Sequence, residues 1–393
     1  MRLVHFADPH LGFRQYQRLT AAGMNQREAD VNASFTRVID TTIALAPDVV
    51  LVAGDVFHQV RPANPAILHG FSEMARLVTS LPDAIVIAIA GNHETPRSRD
   101  TTCILRLFTE LGVHVVDSEV RRLDFPDRNL AVLCVPDVPR IESELLPEPT
   151  ARYNILMAHG EPRGMFPLHE AGERASLVLE PEDLARDEWD YVALGHYHVH
   201  RKAAPRGWYS GSVDYTSSNP WGEMRDERAA GISGKGLIEY DLAKGKHTFH
   251  SIPVSRAYVD LPAIEGRGLG AAELDARIDA AVAGCAGGID DKIIRLILRN
   301  VPRHVARDLN HKVLREHRKR ALHFHVDVRP PQVNREEASG APGRATTLAA
   351  TLRARLTARP LDSELNRERF VSLGLEYLAR ADAARASHLE EPS

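Results

Sequence analysis

The stretch Asp48-Val-Val-Leu-Val-Ala-Gly-Asp55 sets an unbroken apolar run against a terminal Gly-Asp pair. A Val-rich run of this length reads as a buried strand, and the aspartate beyond it falls at the strand's carboxyl end. The pattern recurs along the chain. Residues 2–7 run into Asp8 and His10, and residues 84–91 end at Asn92 and His93. Residues 153–158 end at His159, and residues 191–195 at His196. Helical spacing over 29–46 and 65–81 separates the early runs, and strand–helix–strand alternation predicts a mostly parallel, covered sheet. Such sheets bind ligands beyond the carboxyl ends of their strands, so five strands deliver Asp, His and Asn side chains to one rim.

Bulk properties bound the answer without giving it. A chain of 393 residues exceeds what one hydrophobic core usually organises, so two or three domains are expected. A net charge of −4 neither implies nor excludes a nucleic-acid partner, because local charge matters more than the sum. Cys103, Cys134 and Cys285 lie far apart without metal-site spacing, which fits buried thiols in a reducing compartment. The first residues lack the apolar core of a signal peptide, and no run reaches the ~18 apolar residues of a membrane span. The expectation is a soluble, cytoplasmic protein with no membrane partner.

After residue 235 the pattern changes. GLIEYDLA (236–243) and KHTFHSIPV (246–254) suit antiparallel edge strands. A second unit then reads as strand 257–261, helix 271–283, strand 292–299, helix 304–317 and strand 321–328, a small α+β domain. Residues 331–345, rich in Pro, Gly and charge, read as a linker. Beyond it, Leu348, Leu352 and Leu356, then Phe370, Leu373, Tyr377 and Leu378, recur at helical spacing. The expected divisions are 1–254, 255–330, 331–345 and 346–393.

Alone, an Asp-x-His is common by chance and a Gly-Asp is usually a turn. Asp8, His10, Asp55, Asn92, His159, His196 and His198, with His93 beside them, gain meaning jointly from their shared place past strand ends. Mixed imidazole and carboxylate donors suit manganese, iron or zinc better than magnesium. Two divalent cations roughly 3.5–4 Å apart share ligands, and Asp55 is placed to bridge them. Water held by two such cations becomes a hydroxide nucleophile near neutral pH, and their charge offsets that building up on a phosphoryl group. Phosphoester hydrolysis is the matching reaction class.

In order, D-x-H (8–10), G-D (54–55), G-N-H-E (91–94), H-G (159–160) and G-H-x-H (195–198) resemble the motifs of the calcineurin-like metallophosphoesterases. The resemblance implies an α/β layered fold with central β-sheets flanked by helices. It implies one metal on Asp8, His10, Asp55 and His198, and a second on Asp55, Asn92, His159 and His196. His93 would act at the scissile phosphate or leaving oxygen as general acid or charge stabiliser. Asp8-Pro-His-Leu-Gly12, Gly54-Asp-Val-Phe-His58 with Arg61-Pro62, Trp189-Asp-Tyr-Val-Ala-Leu-Gly-His196 and Tyr209-Ser-Gly-Ser212 further resemble the SbcD-type DNA double-strand-break-repair nucleases. That narrower resemblance implies a Mn2+-dependent DNA nuclease, a 3′→5′ exonuclease on duplex ends and an endonuclease on single strands or hairpins. It also implies a DNA-capping domain, C-terminal helices that dock on an SMC-like ATPase of the SbcC type, and a homodimer through nuclease-domain helices. His58 would orient the substrate strand near the metals. Pro9 and Glu94 depart from commoner residues at their positions, and neither is a ligand position.

Plainer readings stand beside these. Between Pro302 and Pro331 eight Lys or Arg face three acids, a set that reads either as a solvated helix face or as a phosphate-contacting one. Val305, Leu309 and Val313 would form the apolar stripe beneath it. Residues 231–236, GISGKG, lack the spacing of a phosphate loop and read as a turn. His200 continues the alternation of His196 and His198 but has no ligand role, and reads as a polar residue one step past the rim. Two rival functions remain: a phosphoesterase for small nucleotides or phosphoproteins, which leaves a C-terminal cap without purpose, and a non-catalytic DNA-binding scaffold, which a missing ligand would signal.

Overall fold

A computed structural model describes residues 1–96, 102–141, 144–165, 177–232, 234–331, 347–359 and 366–387. The linker expected over 331–345 lies outside the described residues except for Pro331. The chain folds as two units, residues 1–330 and 331–393.

The first unit opens with β1 (Arg2–Phe6), β2 (Val49–Val52), β3 (Ile85–Ile89) and β4 (His114–Val116), all parallel, with α1 (Gln26–Leu45) and α2 (Asn64–Ser80) in the first two crossovers. A second sheet follows from β5 (Arg121–Phe125), β6 (Leu130–Val135) and β7 (Tyr153–His159). The short pair β8 (Glu161–Pro162) and β9 (Val178–Leu179) and the single turn α3 (Pro181–Leu184) precede β10 (Tyr191–Gly195), β11 (Arg201–Ala204) and β12 (Gly207–Tyr209). After α4 (Pro220–Ala229), the hairpin of β13 (Gly236–Asp241) and β14 (Lys246–Ser251) returns to pair antiparallel with β1. The sheet orders are β14-β13-β1-β2-β3-β4 and β11-β12-β10-β7-β6-β5.

Strand alternation explains how the sheets stack. Val4 and Phe6 of β1, Val50 and Val52 of β2, and Val86 and Ala88 of β3 face the apolar stripes of α1 and α2. Their neighbours Leu3, Val49, Leu51, Ile87 and Ile89 face inward, against Val132 and Cys134 of β6, Ile155 and Met157 of β7, and Tyr191 and Ala193 of β10. Leu133, Leu156, Val192 and Leu194 cover the far side with Trp189. Both faces of each central strand are therefore buried, which is why the runs are continuous rather than alternating. The layered fold with central β-sheets flanked by helices is present as two six-stranded sheets, a division that the strand–helix pattern by itself does not show. A doubly buried strand reads the same whichever sheet takes it, so its composition does not report its partner.

Residues 258–328 carry a separate three-stranded sheet with its own core. Here β15 (Tyr258–Glu265), β16 (Ile293–Arg299) and β17 (His323–Val328) are parallel, with β16 central. Ile294, Leu296 and Leu298 pack on Leu274 and Ile278 of α5 (Ala271–Ala283). The helix expected over 304–317 is broken into α6 (Arg303–Arg307) and α7 (His311–Arg320), because Asn310 accepts the Lys312 and Val313 amides and caps a new start. The fresh register turns Leu314, rather than Val313, inward beside Val305 and Leu309.

In the second unit, α8 (Leu348–Ala358) meets α9 (Arg367–Ser387) where Gly374 lies against Leu356, and Arg367 donates to the Arg359 carbonyl at 2.8 Å. Leu348, Leu373 and Tyr377 are exposed. The three cysteines are buried and unpaired, and no described helix is long and apolar enough to cross a membrane.

The two sheets touch closely where β2 and β10 end. A Cβ on Gly195 would overlap the Ala53 carbonyl oxygen, which is backbone and cannot move aside. Gly195→Ala is expected to lower the melting temperature by roughly 5 °C or more, read by thermal unfolding of the purified chain. A shift within about 1 °C would show that the sheets are free to separate there.

Candidate metal centre

The carboxyl ends of β1, β2, β3, β7 and β10 converge, and each delivers one part of the expected set. Asp8 and His10 follow β1, Asp55 follows β2, Asn92 and His93 follow β3, His159 ends β7, and His196 and His198 follow β10. Asp8, His10, Asp55 and His159 are buried, whereas Asn92, His93, His196 and His198 are half-buried.

Their donor atoms fall into adjoining groups. Asp8, His10 and His198 place donors within 4.8 Å of one another, and so do Asp55, His159 and His196. In the first group His10 Nε2 lies 3.0 Å from His198 Nε2. In the second, Asn92 Oδ1 lies 3.1 Å from His159 Nε2 and 3.0 Å from His196 Nδ1. Asp55 joins the groups, with Oδ2 3.7 Å from His10 Nε2 and 3.4 Å from His159 Nε2. Ring nitrogens and carboxylate oxygens aimed at common points, in a buried setting, form a donor set that suits divalent transition metals.

The backbone is bent to make this possible. Asp8 (φ 54°), His10 (φ 49°), Asp55 (φ 51°) and His196 (φ 104°) all hold positive φ, a state that costs about 1–3 kcal/mol at a non-glycine residue. The Asp8 and His10 amides donate to the Gly54 and Asp55 carbonyls at 3.0 and 2.9 Å, which zips the first two loops together. Glu94 adds the third loop. Its buried carboxylate accepts the Asp55, Phe57 and Gly91 amides at 3.0, 2.5 and 3.0 Å. Burial and nearby Asp55 push the Glu94 carboxyl up to about 8, while the Phe57 and Gly91 amides pull it down.

Hydrogen bonds choose the nitrogen that each histidine presents. His159 Nδ1 donates to the Ala53 carbonyl at 2.8 Å, leaving Nε2 toward Asp55. His93 Nδ1 donates to the His58 carbonyl at 2.7 Å, and His93 Nε2 sits 4.0 Å from Asp55 Oδ2. His58 itself stacks on His93 with ring centres 5.0 Å apart, and its Nδ1 is 3.3 Å from His10 Nδ1. Burial lowers the basicity of His159, but the Asp55 and Asp8 carboxylates outweigh it and hold the ring up at about 10. Asp55 is held well below the usual carboxylate range: burial acts against this, and His159 prevails.

His200 lies elsewhere. It is buried rather than at the rim, donates to the Tyr209 carbonyl at 2.9 Å, and stacks on Phe249 with ring centres 4.3 Å apart. Two residues that the motifs did not single out stand behind the site. Glu161 Oε1 is 3.0 Å from His196 Nε2, and Glu223 Oε1 is 3.5 Å from His198 Nδ1. Glu161 is signalled only by following the His-Gly pair directly; Glu223 carries no local signal at all. Lys235, within the glycine-rich turn, is buried against Glu223 and Glu227 rather than exposed.

This centre on a two-sheet α/β scaffold defines a metal-dependent phosphoesterase. The calcineurin-like phosphoesterase family matches residues 1–200, half of the chain, and the chain belongs to that family. Members of the family work with divalent metals. Among curated proteins the chain is similar to the DNA double-strand break repair protein Mre11 of several archaea. It is 30% identical to that of Sulfolobus acidocaldarius over 51% of this chain and 50% of the relative. It is 38% identical to that of Aeropyrum pernix over 51% and 49%, and 30% identical to that of Haloferax volcanii over 67% and 56%. The chain thus spans about half to two thirds of the length of the relatives it matches.

Glu94→Gln keeps the shape but places an NH2 group where three backbone amides need acceptors. Each amide left unpaired costs about 1–3 kcal/mol, so the expected result is a melting temperature lower by roughly 4 °C or more. An unchanged melt, with backbone amide shifts of Asp55, Phe57 and Gly91 unmoved by NMR, would rule out the staple.

Proposed function

We propose that this chain is a Mn2+-dependent DNA phosphodiesterase, a nuclease of the SbcD type acting in double-strand-break repair. One observation carries the reading: the Asp55 carboxylate reaches both donor groups, 3.7 Å from His10 and 3.4 Å from His159. Asp8, His10, Asp55 and His198 would hold one cation, and Asp55, Asn92, His159 and His196 the other. When bound, two divalent cations supply Lewis acidity that neutralises phosphoryl charge and acidifies water. His93, with Nδ1 committed to the His58 carbonyl, presents Nε2 as the atom that holds or yields a proton beside the leaving oxygen. His58 keeps that ring in place through its carbonyl and its stacked ring, and orients the substrate strand beside it.

The names of the curated relatives support DNA as the substrate. Support from the chain itself lies on α6 and α7, where Arg303, Lys312, Arg315 and Arg318 are exposed. Arg307, Lys319, Arg320 and Arg329, by contrast, pair with nearby acids. The reading extends to 3′→5′ exonuclease action on duplex ends and endonuclease action on single strands or hairpins. It includes an SbcC-type, SMC-like ATPase docked on α8 and α9, whose exposed Leu348, Leu373 and Tyr377 suit a partner helix. A homodimer through nuclease-domain helices draws support from Leu68, two-thirds exposed on α2.

The test incubates the purified chain with Mn2+ and either end-labelled duplex or circular single-stranded DNA. Cleavage of DNA is expected, with complete loss in excess EDTA and in Asp55→Ala, and a 10²–10⁴-fold slower rate in His93→Leu, roughly the share of general acid catalysis. Activity on small phosphodiesters alone would favour a small-substrate phosphoesterase, and DNA binding without cleavage would favour a scaffold. Arg315→Ala with Arg318→Ala should weaken duplex binding and flatten its log–log salt dependence by about two, one per lost phosphate contact. An unchanged slope in a fluorescence-anisotropy salt series would remove these two arginines from the DNA surface.

A further inference from the structure

The two histidines of the G-H-x-H motif face the centre with opposite nitrogens. His196 turns Nδ1 to Asn92 and Nε2 to Glu161, 3.0 Å away. His198 turns Nε2 to His10 and Nδ1 to Glu223, 3.5 Å away. His198 Nδ1 and Glu223 Oε1 are both buried, and among the described residues neither makes a hydrogen bond, so their 3.5 Å approach is the contact each has. A neutral imidazole carries one N–H. If Nε2 donates its lone pair to a cation, the proton sits on Nδ1 and points at the Glu223 carboxylate. A carboxylate in that position fixes the tautomer and the ring's orientation and strengthens the ring as a donor.

Glu223 is held firmly enough to do this. It lies on α4 one turn before Glu227, so both carboxylates share a face. Lys235 Nζ donates to Glu223 and to the His198 carbonyl at 2.8 Å and forms an ion pair with Glu227 at 3.0 Å, while Tyr215 Oη donates to Glu227 at 2.6 Å. Two carboxylates against one ammonium leave one negative charge behind His198, the sign that favours a cation on its far side. The remaining side of α4 is anchored as well. Trp221 and Met224 pack with Tyr258, Ile293 and Leu322, and the Arg295 guanidinium lies 4.7 Å from the Trp221 ring centre.

We propose that Glu223 is a positioning residue for His198, holding the imidazole with Nδ1–H inward so that Nε2 faces His10 as a metal donor. The proposal rests on the metal-centre reading above. It is tested by calorimetric titration of the metal-stripped full chain with Mn2+. The wild type is expected to bind two ions. In folded Glu223→Gln one site weakens by roughly 10–100-fold and the other changes less than about twofold. Glu223→Asp keeps a charge for Lys235 but withdraws the oxygen from Nδ1. It gives the same one-site loss and serves should the glutamine variant not fold. The decisive arm adds Glu223→Gln to His198→Ala. With the imidazole gone, the second change should alter the remaining site by less than about twofold. A comparable loss in that background would show that Glu223 acts on the fold at large and would overturn the proposal. So would wild-type affinities at both sites in a folded Glu223 variant. A wild type that binds no Mn2+ overturns the metal-centre reading along with it, a result distinct from either.

Discussion

The Ala53 carbonyl oxygen locks the two sheets together. It stands at the end of β2, accepts the His159 Nδ1 proton from β7 at 2.8 Å, and has Gly195 of β10 against it. The same hydrogen bond decides the chemistry, because a proton committed to Nδ1 leaves Nε2 of His159 directed at Asp55 and Asn92. Asp8 repeats the device from the other strand, its carboxylate accepting the His196 amide at 3.1 Å on both oxygens. Closing the sandwich and selecting the donor atoms are thus one event. A sheet-to-sheet displacement of even an ångström would undo both.

Charge imposes the complementary constraint. Asp8, Asp55 and Glu94 are buried, among the described residues none of them is paired with a lysine or arginine, and a buried carboxylate costs several kcal/mol when uncompensated. For Glu94 three amides offset only part of this, and burial beside Asp55 still holds its carboxyl up at about 8. Asp8 and Asp55 share the His159 imidazole, whose basicity they raise to about 10. Because that value lies above the unfolded one, the pairing stabilises the fold fully below about pH 6.5 and is lost as pH rises through about 10. A proton on His159 therefore stands in for a cation, and any cation bound through Nε2 must displace it.

The chain discloses this centre readily because each strand is an apolar run stopped by the residue it delivers. Asp55 and His159 could be placed at a rim from sequence for that reason. Which sheet owned each strand could not, since Val50 and Val192 bury both faces alike. Side chains that act from behind were also hidden. Glu223 sits 25 residues beyond His198 on a helix whose apolar pattern is weak, and Lys235 lies in a turn that looks solvated. Both depend on a tertiary meeting that no local spacing encodes. His200 shows the converse: it keeps the two-residue period of His196 and His198, but His196 holds φ 104° and breaks the strand, so periodicity no longer assigns a common side. The break in 304–317 follows from Asn310, a cap residue whose preference for a helix start overrides the apolar period around it.

The 258–328 unit is joined to the two-sheet body by buried charge beside the apolar cluster of Tyr215, Trp221, Tyr258 and Ile293. Arg27, fully buried at the start of α1, donates to Asp30 at 3.1 Å and to Asp214 at 2.7 Å, and Arg256 reaches Asp30 from the approach to β15. Ser34 completes the Asp214 carboxylate at 2.6 Å. Such pairs add little net stability over apolar packing, but breaking one leaves an uncompensated charge, so they tolerate few geometries. An apolar contact could slide; this one has a register. α1 also packs on β1, which delivers Asp8 and His10, and α4 touches His198 through Glu223 while packing on the 258–328 unit through Trp221. The 258–328 unit and the candidate metal centre therefore hang on the same two helices, and a displacement of that unit reaches both ends of the candidate site through packed and ion-paired contacts.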